Sequence, residues 1–214
     1  MTDRIKKLIT ALEQNNMQAF YAENREKAME KLKELLPKGG MVTHGGSVTL
    51  QECGVPELLK NGDYQYLDRS AGGLTPVLIE ELYRKSFFAD AYVTSANAVT
   101  MDGLLYNVDG NSNRVAAILY GPKQVIFIVG INKIVDNLEQ AVERVRAIAA
   151  PKNNVRLGCA NYCKDKGRCV AKAGAPMGVG CGSDSRICCN YVVSARQRQK
   201  NRIKVIIVNE ELGY

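Results

Sequence analysis

Apolar residues recur at helical spacing near the start of the chain, where Ile5, Leu8, Ile9 and Leu12 share one face. That spacing predicts an amphipathic helix over residues 4–13. Residues 17–22 alternate weakly and read as a strand. A second helix over 23–36 would bury Ala28, Leu32, Leu35 and Leu36 and stop at Pro37-Lys38-Gly39-Gly40. Residues 41–43 and 64–67 are strand-like, and Thr75-Pro76 is a cap followed by a proline at the first position of a helix to about 88. Short apolar runs at 91–94, 104–106, 115–120, 125–129 and 203–208 have the composition of buried strands. Asp109-Gly110, with Asn111, Ser112 and Asn113 behind it, predicts a tight hairpin between the runs at 104–106 and 115–120. A helix is expected from about 136 to 149. This alternation predicts an α/β fold, a mainly parallel sheet with helices on both faces.

Composition adds limits rather than identity. The 214 residues suffice for one α/β domain, and no apolar run approaches the roughly 18–20 residues of a membrane helix. The amphipathic start lacks the apolar core of a secretory signal, so a cytoplasmic protein without membrane contact is expected. The net charge is +7, yet acids and bases are mixed except near 196–204. There Arg196, Arg198, Lys200, Arg202 and Lys204 alternate with uncharged residues and, if extended, would form a basic row. Only Tyr191 is at hand to stack on bases, so nucleic acid is a disfavoured partner and a solvated loop the better reading.

Candidate chemistry gathers where predicted strands end, the usual place for ligands in open α/β sheets. The strand at 41–43 runs into His44, Gly45, Gly46 and Ser47, a turn that suits a small anion but equally an ordinary turn capped by Ser47. His44 is the only histidine, a hydrogen-bonding residue as readily as a catalyst. The strand at 91–94 delivers Thr94, Ser95 and Asn97, and the run at 125–129 leads to Lys133. Gly45, Gly46, Ser47, Arg114 and Lys133 are the expected anion contacts, with Asn97, Asp102 and Asn113 orienting polar groups. Asp102 is the candidate general base, although Asp102-Gly103 is also a turn sequence. There is no P-loop, no Ser–His–Asp pattern and no GxGxxG after a strand, which argues against a self-sufficient nicotinamide enzyme.

Six of seven cysteines fall within 159–189: Cys159, Cys163, Cys169, Cys181, Cys188 and Cys189. In a cytoplasmic chain such a cluster suggests zinc, an iron–sulfur cluster or redox thiols more than disulfides. The spacing matches neither a zinc ribbon nor a ferredoxin. Cys53, alone near a predicted helix, reads as a small buried hydrophobe.

The stretch TSANAVTMDGLLYNVDGNSNRVAAILYGPKQVIFIVGINKIV closely resembles the signature region of the LUD (lactate utilisation) domain family. EQAVERVRAIAAPKN, the cysteine segment ending SDSRIC, and the closing RIKVIIVNEELGY continue the likeness over most of the chain. The resemblance implies a Rossmann-like domain of the NagB/RpiA/CoA-transferase-like type over 1–214, with a cysteine-rich arm at about 155–195 before the last strand. It maps the ligands of an iron–sulfur cluster or zinc onto Cys163, Cys169, Cys181 and Cys188, with Cys159 and Cys189 as alternates. The inserted VAKAGAPMGVG departs from the related spacing. It further implies a role in an L-lactate oxidation system, with a small anionic metabolite as ligand, iron–sulfur redox proteins as partners and a homodimer as a candidate assembly. A stand-alone isomerase or acyl/CoA-transferase-like enzyme, or a metabolite- or RNA-binding module, are the alternatives.

Overall fold

Six parallel strands form the central sheet of the computed structural model, which describes all residues from Met1 to Tyr214. Numbered along the chain and given in spatial order, they are β1 (Gln18–Ala22), β10 (Ile203–Val208), β7 (Gln124–Gly130), β4 (Ala91–Thr94), β2 (Met41–His44) and β3 (Gln65–Tyr66). Side chains alternate faces along each strand, and both faces are covered. Val125, Phe127 and Val129 of β7 pack with Val205 and Ile207 of β10 against Leu8 and Leu12 of α1 (Asp3–Gln14). Ile126 and Ile128 turn the other way, with Ile206 and Val208, toward Ala28 and Leu32 of α2 (Arg25–Leu35) and Leu59 of α4 (Val55–Asn61). Each such side chain contributes about 1.5–3 kcal/mol on burial, which explains why these strands are almost unbroken apolar runs.

A second sheet was not foreseen. Its order is β8 (Ile134–Val135), β5 (Ala98–Thr100), β6 (Leu105–Asp109) and β9 (Asn190–Ser194). Ala98, Tyr106 and Val108 pack there against Ala141 and Val142 of α7 (Leu138–Arg144), the π-helical turn Val145–Ala149 and the start of α8 (Ala150–Leu157). Its strands are short, and the neighbour of β6 arrives only after the cysteine-rich arm.

Two expectations around Asp-Gly pairs are corrected. The hairpin forms at Asp102-Gly103, joining antiparallel β5 and β6. Gly103 has φ +81°, and a Cβ there would stand 2.8 Å from the Ala11 carbonyl carbon, so only glycine fits. Of residues 115–120, expected as a strand, 115–119 belong instead to helix α6 (Asn113–Leu119), and only Tyr120 beyond its end is extended. Asp109 makes that helix: its carboxylate accepts from the backbone N–H of Ser112 at 3.2 Å and of Val115 at 3.3 Å. Val115, Ala117 and Ile118 are then buried on one side.

The basic row near the end of the chain is also not formed. Arg202 turns inward and donates to the carbonyls of Ile118 (2.7 Å), Pro122 (3.0 Å) and Ala117 (3.3 Å), satisfying the last turn of α6. No helix is long and apolar enough to cross a membrane.

Candidate functional site

Strand ends β2, β4, β6 and β7 converge on a cleft of about 320 Å³, within the range of small-molecule sites. Gly46 and Ser47 follow β2, Ser95 and Asn97 follow β4, Asp109, Asn113 and Arg114 follow β6, and Lys133 follows β7. Ser47 precedes α3 (Val48–Glu52) without using its hydroxyl as a cap, so that group is left for the cleft. Arg69, Tyr83 of α5 (Pro76–Lys85), Asn153, Arg156 and Tyr214 complete the wall. The lining thus holds four cationic side chains, Arg69, Arg114, Lys133 and Arg156, and one acidic side chain, Asp109.

The four cations differ in what they can offer. Arg114 is spent on the protein itself. Its guanidinium donates to Asn107 Oδ1 (2.8 Å), Val108 O (2.8 Å), Asn97 Oδ1 (2.9 Å) and Ser95 O (3.1 Å), with Asp109 3.7 Å from Nε. It holds the polar turns in place. Asn97 Oδ1 also accepts from Val108 N at 2.8 Å, which leaves its NH2 group facing the cleft. Arg69 lies over the Tyr83 ring, 4.9 Å from its centroid, with one donor on the Tyr83 hydroxyl. Arg156 is fixed by Asn153 and the Tyr214 hydroxyl. Both keep free N–H groups.

Lys133 is different again. Only 2% exposed, its Nζ donates to Thr49 Oγ1 (2.7 Å) and Ser95 Oγ (3.1 Å) and meets no carboxylate. Burial, with Arg144 and Arg114 nearby, pushes its pKa down to about 7.

His44, Gly45 and Thr94 stand behind the cleft rather than on it. His44 is buried: burial lowers its pKa, and its ring nitrogens pair with Gly45 O and Tyr66 Oη at 2.8 Å. A Cβ on Gly45 would lie 2.9 Å from Tyr92 Oη and 3.2 Å from Arg114 Cδ, so glycine lets β2 close onto Arg114. Thr94 is fully buried. Asp102 is outside the cleft, exposed at the far end of β5, where its carboxylate accepts from Thr100 Oγ1 and its carbonyl from Asn15. It serves the turn. Arg69, Asp109 and Arg156 are cleft residues that spacing did not single out as ligand contacts. Only Asp109 carried a signal, within the cluster of amides and acids.

Beside the cleft is a smaller cavity of about 20 Å³ that Cys163, Cys169, Cys181 and Cys188 all line. Two arginines, the buried Arg146 and the half-buried Arg186, tie the arm around it. Arg146 donates to the carbonyls of Ala175 and Pro176. Arg186 donates to those of Gly178, Cys181 and Cys188 and to the Tyr191 hydroxyl. Burial, together with the neighbouring thiols, pushes Cys163 up to about 11 and Cys188 up to about 12. Cys159 and Cys189 are not on this cavity; Cys189 is exposed. Cys53 is buried in the apolar layer under α3 and α4. All seven cysteines are free thiols, and no three side chains are drawn close enough to share one metal ion. The donor chemistry nevertheless fits a thiolate-held group. The Tyr106 hydroxyl, fully buried on the same cavity, has no partner within the protein, a spare donor such as cluster sulfurs accept.

Cleft and cavity share a wall. Ile187, Cys188, Val145 and Ala150 line both.

The family model described as LUD domain matches residues 5–208 of this chain. Among solved structures, the crystal structure of a DUF162 family protein from Deinococcus radiodurans is similar over 96% of each chain, with a TM-score of 0.53 and 14% identity. At that identity the likeness shows the fold alone. No curated protein matches.

Proposed function

The chain belongs to the LUD-domain family, and from that premise we propose that it binds a small 2-hydroxy or 2-oxo carboxylate in the cationic cleft as part of an L-lactate oxidation system. The observation that carries this reading is the shared wall: a cation-rich cleft separated from a four-cysteine cavity by Cys188 itself. Oxidising a 2-hydroxy acid to a 2-oxo acid releases electrons and protons, so the substrate must lie close to an electron acceptor. Cys163, Cys169, Cys181 and Cys188 would hold an iron–sulfur cluster or zinc. A cluster there would supply a site for electrons and pass them to an iron–sulfur redox partner.

The protein's own groups divide the remaining work. Arg69 and Arg156 keep free donors for the carboxylate, and Ser47 and the Asn97 amide can orient the 2-oxygen. Arg114 keeps those groups in position. Lys133, held near neutrality, can take a proton at Nζ as the hydroxyl is oxidised.

The test is the iron content and visible spectrum of the full chain isolated without oxygen, before and after L-lactate or pyruvate. Stoichiometric iron and a spectrum altered by either acid are expected. Arg69→Ala should weaken the response at least tenfold, while Asp102→Asn leaves it unchanged. Absence of iron after reconstitution with iron and sulfide overturns the cluster. Loss of any calorimetric response to both acids overturns the cleft.

A further inference from the structure

A lysine buried inside a protein ordinarily meets a carboxylate, because an unpaired ammonium is costly to desolvate. Lys133 meets none. Its partners are two hydroxyls, Thr49 Oγ1 at 2.7 Å and Ser95 Oγ at 3.1 Å, and its charged neighbours Arg114 and Arg144 repel a second cation. Thr49 donates its own proton to Leu212 O at 3.1 Å, so its oxygen must accept from Nζ, which fixes where the amine sits. Lys133 also lines the cleft. An anchor for anions would be better served by a charged group, and Arg69 and Arg156 already provide two with free donors. What this arrangement produces is a desolvated amine that burial and neighbouring cations make easier to deprotonate, at the edge of the cleft, the condition under which lysine becomes a nucleophile.

We propose that Lys133 forms an imine with the carbonyl carbon of a 2-oxo acid bound in the cleft. Resting on the cleft's reading as a carboxylate site, the inference adds a covalent activity that needs no metal and no second substrate. The Nζ lone pair attacks the 2-carbon, forming a C–N bond while the carbonyl oxygen takes a proton. The resulting carbinolamine loses that oxygen as water, and both water protons derive from the amine. A C=N bond replaces the C=O bond, and no electrons are gained or lost. Protonation of the imine nitrogen then makes the 2-carbon electron-poor, and the Ser95 and Thr49 oxygens beside it are placed to accept the N–H.

The experiment treats the full-length chain with pyruvate and sodium borohydride, which reduces an imine to a stable secondary amine, and locates the adduct by intact mass and peptide mapping. One adduct per chain at Lys133 is expected, reduced at least tenfold when borohydride is added before pyruvate. Lys133→Gln should abolish it, and mapping the wild-type chain decides the site even where that variant fails to fold. Adducts spread over exposed lysines, or calorimetric binding of pyruvate without an adduct, overturn the imine and leave the cleft reading intact. A chain that shows no binding of pyruvate or of L-lactate overturns both.

Discussion

Arg114 and Asp109 form a largely buried pair, with Nε 3.7 Å from the carboxylate and side chains only 13% and 10% exposed. Each has a second task. Asp109 starts helix α6 by accepting from Ser112 and Val115, while Arg114, the second residue of that helix, reaches back to Ser95, Asn97, Asn107 and Val108. The pair therefore joins the ends of β4 and β6 to α6, and the cleft wall is a single polar unit.

Removing the cation strands its partners. Arg114→Leu leaves Asp109 without its counter-charge and the fully buried Asn107 Oδ1 without its donor, and a cost of about 3–5 kcal/mol is expected, the range for breaking a buried pair. Arg114→Lys keeps the charge but not the fork of donors, and about 1–3 kcal/mol is expected. Urea unfolding checks both. Equal stability of Arg114→Leu and wild type would show that the polar unit contributes nothing to the fold.

The same residues show what was legible in the sequence. β7 and β10 are buried on both faces, so their apolar runs marked the sheet directly. Strand ends also placed Gly46, Ser47, Ser95, Asn97 and Lys133 on one cleft. Residues 115–120 misled because Val, Ile and Tyr favour strands, and a carboxylate six residues before Val115 decides the helix through a tertiary-like cap. The second sheet was hidden for a related reason: β6 pairs with β9 across some 80 intervening residues, and no local pattern announces that. Arg69 and Arg156 reach the cleft from a loop and from α8, so only packing reveals them.

Arg202 gives a second measurable consequence. Its three bonds to carbonyls, two at the end of α6 and one in the turn after it, are buried, and Arg202→Ala would leave Ala117, Ile118 and Pro122 oxygens without those donors. A loss of about 1–3 kcal/mol in unfolding free energy is expected. Arg198→Ala, at an exposed loop position, should change stability by no more than about 0.5 kcal/mol. Similar small effects for both would mean that the cap is not formed in solution.

Lys133 ties stability to pH with a definite sign. Its folded pKa is near 7, against an ordinary value of 10.5, because burial and the cations Arg144 and Arg114 disfavour the charged form more than Glu52 and Cys53 restore it. Between those values the unfolded chain binds a proton that the folded chain does not, so unfolding free energy rises with pH across this window. The penalty is largest and constant below about pH 7, on the order of 5 kcal/mol at 1.36 kcal/mol per pH unit, and vanishes above about pH 10.5. Lys133→Met removes the ionisable group but also its bonds to Thr49 and Ser95, so its net gain at pH 7 is expected to be smaller, about 1–3 kcal/mol. Wild type should therefore gain stability from pH 7 to 9 relative to Lys133→Met, narrowing the gap between them. Chemical unfolding of both proteins at pH 6, 7, 8 and 9 reads this directly. Parallel curves would place the Lys133 pKa outside that interval and return the residue to an ordinary charged lysine.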